Sequence, residues 1–322
     1  IRGTGAAHTA VSWQGMPLNS PMLGLTDMSL LPAFLMDDIL IHYGGNGPLN
    51  GAGAVGGSIV LGNTLNATQG ISVQGLAGGG SFGQMRAGAA FRYANGKAVT
   101  QTKVYSESSQ NNFDFTRPDG SVATQNHAGF RQTGFTQDLR YGSSKTYGEA
   151  HIWYLENDRD IPPLMISSLS RQEQQDKAVR AIAGINFIGN KHQVKFRTGF
   201  SDEHIHYVDP EAKLNEFSRA QTFQADAEAG FVLSSSFTAF LQGVAQLATA
   251  EVTSYRADGR QDQESMSANL LFEKGNYKAQ VAVKQSLFNG DFLPLLPSFS
   301  FSVQLHRNLL LRGDAAMIYR LP

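Results

Sequence analysis

Residues 84–93 read QMRAGAAFRY: Met85, Ala87, Ala89, Phe91 and Tyr93 form one alternating set, and Gln84, Arg86, Gly88, Ala90 and Arg92 form the other. Successive side chains of an extended strand point to opposite faces, so this stretch is a strand with one apolar side and one polar side. The pattern recurs along the chain. In 179–187, Val179, Ala181, Ala183, Ile185 and Phe187 alternate with Arg180, Ile182, Gly184 and Asn186. In 193–200, Val194, Phe196 and Phe200 oppose Lys195 and Arg197. In 223–231, Phe223, Ala225, Ala227, Ala229 and Phe231 oppose Gln224, Asp226, Glu228 and Gly230. About 13 such stretches follow residue 66, many longer than the ~5–6 residues common in soluble sheets.

The connectors fall into two kinds. Ala94-Asn95-Gly96, the run from Gly142 to Lys145, Gly189-Asn190 and Gly275-Asn276 are tight and carry hairpin turn residues. Between them, at roughly every second connection, lie long polar segments such as SESSQNNFDFTRPDGSVATQNHAG, NDRDIPPLMISSLSRQEQQD and SDEHIHYVDPEAKLNEFSR. Short turns at one rim and long loops at the other are the signature of an outer-membrane barrel. Phe91, Tyr93, Tyr141, Trp153, Tyr154, Phe231, Phe237, Phe272 and Tyr319 lie near strand ends, where interfacial aromatic girdles are expected. A soluble sandwich would alternate as well. Its apolar positions, however, would be dense in Val, Ile and Leu, whereas these are scattered with Ala and Gly opposite a continuous polar face.

Composition narrows the function classes. The chain has 26 Lys and Arg against 27 Asp and Glu, so it has no basic surplus with which to attract a nucleic acid. It contains no cysteine, which excludes disulfides, thiolate metal sites and a Cys nucleophile. The longest apolar run, Leu30 to Met36, is interrupted by Pro32 and falls far short of the ~20 residues of a spanning helix. A closed barrel is the other way to satisfy every backbone group in lipid.

The first sixty-odd residues have a different texture. DILIHYGGNGPLNGAGAVGGSIVLGN holds short apolar strands separated by a glycine-rich run, which implies a compact, turn-rich unit. Three motifs, IRGTGAAHTAVSWQGMPLN, TDMSLLP and GAGAVGGSIVL, resemble in order and spacing the plug domain of TonB-dependent outer-membrane receptors. The first, with His8 after IRGT and PLN after a Trp-x-Gly turn, is most similar to the cobalamin-receptor branch. The resemblance implies an all-β fold: a plug over residues 1–63 and an antiparallel transmembrane barrel over 64–322. Since barrels of this kind have 22 strands around a plugged lumen, it further predicts a partial barrel and the C-terminal half of a plug. A signal peptide, a TonB box and the rest of the plug would precede the chain, and further strands would follow it.

The implied function is active uptake of a large, scarce ligand across the bacterial outer membrane, driven through TonB by the part of the receptor ahead of this chain. No bond in the ligand is broken. Cobalamin is the first expected ligand and a ferric siderophore the second. By the same resemblance, the stretch matching the plug's apical loops supplies ligand contacts: Asn19, Ser20, Met22, Leu23, Leu25 and Thr26. A flexible Met and two Leu beside small hydroxyls suit a bulky amphipathic molecule, or else pack the plug against the wall. Arg2 is the expected plug–barrel lock, with Glu149, Asp226 and Glu228 as partners on polar strand faces. The family's second such arginine is replaced here by Tyr43.

Acidic clusters in the long connections offer hard oxygens for Ca²⁺: Asp114 with Asp119, Asp158 with Asp160, Asp202 and Glu203 with Asp209 and Glu211, and Asp258 with Asp262 and Glu264. None has a recognisable calcium-loop consensus, and solvated loop charge is the favoured account. His204 and His206 fall on one side of an extended segment, either as a transition-metal pair or by chance. Two rival classes remain, a small barrel enzyme that would draw on a residue such as His151, and a passive porin or structural surface protein, with long loops able to hold a surface lipoprotein.

Overall fold

The computed structural model describes residues 5–43, 57–163, 170–253 and 259–319. A small sheet comes first, built from β1 (Thr9–Trp13), β2 (Met16–Pro17), β3 (Asp38–Tyr43) and β4 (Gly57–Gly62), in the order β2-β1-β4-β3. Strands β1 and β4 run parallel, and β1 and β2 form a tight hairpin. Its two corner residues, Gln14 (φ 52°) and Gly15 (φ 88°), are both left-handed, as a two-residue turn matching strand twist requires. The amide of Asn19 spans the edge of β1, accepting from Val11 N at 2.9 Å and donating to Thr9 O at 3.1 Å.

The remainder is an antiparallel meander. Its strands are β5 (Gly70–Gly79), β6 (Met85–Ala94), β7 (Ala98–Ser109), β10 (Phe130–Gly142), β11 (Thr146–Ile161), β12 (Gln172–Ile188), β13 (His192–Asp209), β14 (Leu214–Val232), β15 (Phe237–Val252), β16 (Gly259–Lys274), β17 (Tyr277–Phe288), β19 (Leu296–His306) and β20 (Leu309–Ala316). With the short β18 (Asp291–Phe292) paired to β17 they make a 14-stranded sheet, and β8 (Asp114–Thr116) and β9 (Val122–Thr124) form a separate hairpin in the loop after β7. Each strand pairs with its chain neighbour, so hairpin turns alternate between two rims.

The sheet is inverted relative to a soluble one. Met85, Phe91 and Tyr93 are exposed on one face, as are Val179, Ile185, Phe196, Phe223 and Leu241, and Val73 is 73% accessible. The opposite face buries Gln101, Lys103, Gln132, Thr136, Asp138, His151, Asn157, Arg180, Gln224 and Asp226. An apolar exterior around a polar interior is what lipid demands of a barrel wall. At the short-turn rim, Tyr93, Tyr141, Phe187, Phe231, Phe237 and Tyr277 stand exposed beside successive turns and form an aromatic girdle. Of the expected set, Tyr154 sits in mid-strand on the outer face, and Trp153 departs further. Its strand position faces inward, where it is fully buried.

Strands β11 to β16 have 16–19 residues, well beyond the ~9–11 needed to cross a bilayer. Toward the long-loop rim their outward positions change from apolar to charged, with Glu156, Asp158, Lys177, Asp202, His204 and Arg219. The wall therefore projects past its apolar belt at that end.

The small sheet packs on the wall's polar face. Val11, Trp13, Met16, Leu18, Leu35, Met36 and Leu61 join Tyr105, Trp153, Leu155 and Ile182 in one core, so the first unit is a plug seated against the inside of the wall. The fit is close at three wall glycines, one of them Gly88, where a Cβ would stand 2.8 Å from Phe34 Cε1. A Cβ on Gly134 would stand 2.5 Å from Leu35 Cδ1, and one on Gly199 would stand 3.0 Å from Met16 Sδ.

Trp13 and Trp153 meet edge to face at 5.4 Å with both rings inaccessible. Trp13→Ala is expected to cost the plug about 3–5 kcal/mol. In detergent-solubilised protein this should appear as proteolysis within residues 5–43 under conditions where the wall strands stay intact.

Candidate ligand-binding site

Three polar ties hold the plug to the wall. In the first, Trp13 Nε1 donates to Asn63 Oδ1 at 3.0 Å, Asn63 Nδ2 donates to Asp138 Oδ2 at 3.1 Å and to Leu35 O at 2.9 Å, and Asp138 Oδ1 lies 2.7 Å from His151 Nδ1. In the second, Lys103 Nζ reaches Asp37 Oδ1 at 2.6 Å, with Gln101 Nε2 on the other oxygen at 2.6 Å. In the third, Arg197 donates from Nη1 to Gln14 O at 2.9 Å while its Nε is 3.0 Å from Asp226 Oδ2, and Gln224 Nε2 donates to Gly15 O at 3.1 Å.

Asp226 and Glu149 do face inward, but their cations belong to the wall: Arg197 for Asp226, and Lys195 at 2.8 Å for Glu149. Glu228 is opposite Lys195 in the strand register. Arg2 lies outside the described residues, as does the side chain of Tyr43.

From this base the plug's loop between β2 and Leu31 rises toward the long-loop rim. Ser20 N donates to Leu25 O at 3.0 Å and Gly24 N to Ser20 O at 2.8 Å, which folds Ser20 to Leu25 into a turn. Gly24 has φ 65°, and Leu23, at the tip, is 58% exposed. Met22 and Leu25 flank it half-buried, while Ser20 and Thr26 turn inward. Of the expected contact residues the turn thus brings Met22, Leu23 and Leu25 to its outer surface. Asn19 spends its amide on β1, and Thr26 buries a hydroxyl that has no hydrogen-bond partner.

Asp27 fixes the loop to the wall. It accepts from Ser29 N at 3.0 Å and Ser29 Oγ at 2.6 Å, and its second oxygen meets Arg159 Nη1 at 2.9 Å. Partial burial pushes this carboxyl up, but the Ser29 hydrogen bonds and the Arg159 guanidinium outweigh it and hold the group below the usual carboxylate range. Arg159 continues to Asp176 at 3.5 Å. On the inner face of the next strand, Arg180 pairs with Glu203 and lies over the Trp153 ring at 4.8 Å. Among the described residues, the donors Arg159 Nε and Arg180 Nε and Nη1 are buried without a protein partner. Buried polar atoms are normally paired, so the inner wall holds donor capacity for a ligand at Arg159 beside the apical loop and, deeper, at Arg180 over Trp153. Sequence reading put Arg180 on a polar face without assigning it a role, because the packing on Trp153 comes from the neighbouring strand.

Many carboxylates of the acidic clusters have partners of their own, while Asp158 and Asp160 stay side by side on the outer face. Asp114 accepts from Thr124 Oγ1, Asp119 from Ser121, and Asp158 from Gln175. Asp202 faces outward to Arg219 and Glu203 inward to Arg180, Asp209 caps the turn at Glu211, Asp262 meets Arg260, and Asp258 lies outside the described residues. His204 and His206 share the outer face as expected, each engaged separately, with Asp202 and with Asn215. His151, the enzyme reading's histidine, is sealed against Asp138 with Trp13 edge-on at 6.2 Å.

A plug seated on the polar side of an antiparallel wall that is apolar outside defines a plugged-barrel fold. No family model matches the chain, and no curated protein matches it in sequence. Among solved structures it is similar to a variant of the FrpB iron transporter from Neisseria meningitidis (TM-score 0.82, 11% identity, all of this chain on 58% of that one). The siderophore receptor PirA from Pseudomonas aeruginosa (0.79, 12%, all of this chain on 56%) and a mutant of the ferric enterobactin receptor PfeA from the same organism (0.77, 12%, on 55%) match likewise. The chain spans a little over half the length of these structures. At such identities the likeness establishes the fold. All three carry iron or siderophore names, so the expected cobalamin branch gains no support from them.

Asp27→Asn is expected to release the apical turn from Arg159, raising hydrogen exchange of residues 20–31 while leaving the wall strands unchanged. The carboxyl is depressed in the folded state, so its contribution is present above the ordinary value near 3.9 and is lost as pH falls through the lower folded value. In the parent chain the same exchange signal should therefore stay flat down to about pH 4 and rise only below it.

Proposed function

We propose that the chain acts in a TonB-dependent outer-membrane receptor that takes up a ferric siderophore, with the long-loop rim outside the cell and the short-turn rim facing the periplasm. The observation that carries this reading is the plug's apical turn, tied by Asp27 to Arg159, with the unpartnered donors of Arg180 deeper on the same inner wall. Short turns lie on the periplasmic side of such barrels. The turn and the arginines then face the outside, where ligand arrives. Guanidinium groups are suited to the oxygen-rich, anionic surface of a ferric chelate because they donate in a planar fork and remain charged. Met22, Leu23 and Leu25 would supply apolar contact to the same molecule. The neighbours' printed names support the same ligand class, and we take the siderophore ahead of cobalamin.

Transport in this reading breaks no bond. Ligand binding at the apex must be relayed to the plug's base, where the Asn63–Asp138, Asp37–Lys103 and Gln14–Arg197 contacts hold it. Energy delivered through TonB would act on these ties, and the plug would rearrange within the lumen.

Ligand titration of the purified receptor in detergent, read by tryptophan fluorescence, tests the proposal. Arg180 lies on the Trp153 ring, so a ferric catecholate such as ferric enterobactin is expected to quench emission saturably, with no response to cyanocobalamin. Arg180→Ala should weaken ferric-chelate binding at least about tenfold, in line with the ~1.5–3 kcal/mol of one charge-assisted hydrogen bond. Saturable cobalamin binding without ferric-chelate binding would overturn it.

A further inference from the structure

Outside the lumen, at the long-loop rim, a second group of side chains converges. His127, at the end of the loop after β7, faces Asp160 on β11 and Glu173 on β12, and one ligand atom from each lies within 4.8 Å of the other two. All three line a cavity of about 530 Å³, which Arg131, Asp158 and His206 also border. Asp160 and Glu173 are directly opposite in the strand register. Like charges placed directly across a sheet repel, and among the described residues neither carboxylate has a Lys or Arg within ion-pair distance.

The imidazole is already oriented. His127 Nε2 lies 2.8 Å from Gln172 O, and a carbonyl oxygen can only accept, so Nε2 carries the proton and Nδ1 presents its lone pair. Nδ1 points toward Asp160 Oδ1 at 3.7 Å, too far for a hydrogen bond but a natural spacing for two ligands each ~2.1 Å from one ion. A backbone carbonyl holding the far nitrogen is the support that metal-bound histidines receive. The residue also sits at φ 52°, a left-handed backbone that a non-glycine residue seldom adopts and that turns the ring back onto the wall.

We propose that His127 Nδ1, Asp160 and Glu173 bind a divalent cation of the Zn²⁺ class, and that the ion staples the loop of residues 110–129 to strands β11 and β12 on the outer surface of the rim. A mixed imidazole and carboxylate set selects a borderline metal over Ca²⁺, which takes oxygen ligands only. The neutralised Asp160–Glu173 pair and the pinned loop follow from one binding event. This site is separate from the luminal one and does not depend on the ligand assigned there.

Zinc titration of the full chain in detergent, with hydrogen exchange of residues 110–129 as a second readout, tests the proposal. Zn²⁺ is expected to bind one to one and slow exchange in the loop. His127→Ala and Glu173→Gln should each weaken binding at least about tenfold, since even loss of a histidine's supporting partner costs about that much. Both residues lie at the accessible rim, and unchanged far-ultraviolet circular dichroism would confirm that the variants fold. Equal Zn²⁺ affinity in the parent and His127→Ala chains, binding of Ca²⁺ in preference to Zn²⁺, or binding with no change in loop exchange would each overturn it.

Discussion

The carboxylate of Asp138, inaccessible to solvent in the middle of the wall, is the point on which plug and barrel both depend. A sheet whose exterior must be apolar has only its interior on which to place charge, and a charge placed there needs partners because water no longer reaches it. His151 satisfies one oxygen from the wall and Asn63 the other from the plug. Asn63 then passes the connection to Trp13 and to the backbone of Leu35. The plug's core and its polar ties thus meet at one residue, so its position along the wall is set by hydrogen-bond geometry as well as by apolar fit.

The two ends of the molecule divide the work. Near the short turns, the aromatic girdle and the chain between plug and first wall strand anchor the structure. Arg92 and Arg140 hold the backbone of that connecting segment at Asn66, Thr68 and Leu65. Toward the long loops the strands outrun the apolar belt and carry charge on both faces. There the inner face presents Arg159 beside a small exposed turn, and the outer face presents loops that fold back on the wall.

Much of this was legible in the sequence, for identifiable reasons. Alternation at 84–93 and 179–187 named the two faces correctly because a strand's period is fixed and each face meets a uniform environment. The scarcity of Val, Ile and Leu separated a lipid-facing surface from a soluble core. The plug was recognisable from motifs spread over sixty residues. Contacts that depend on register were beyond reach. Asp226 and Glu149 were correctly read as inward-facing, but their cations sit on other strands, Arg197 one strand away and Lys195 two, at positions only pairing defines. Trp153 was read as an interfacial aromatic because nothing in its neighbours reveals which face Thr146–Ile161 turns inward. His127, Asp160 and Glu173 come from three separate elements and have no common spacing.

The glycines opposite Leu35 and Met16 have a mechanical consequence. A side chain seated in a hollow of the wall blocks sliding along the strands, because any lateral step drives it into backbone. It offers little hindrance to withdrawal along the wall's normal. The plug should therefore be stiff against shear and compliant to a pull directed away from the strands, so an applied force is effective only in one direction.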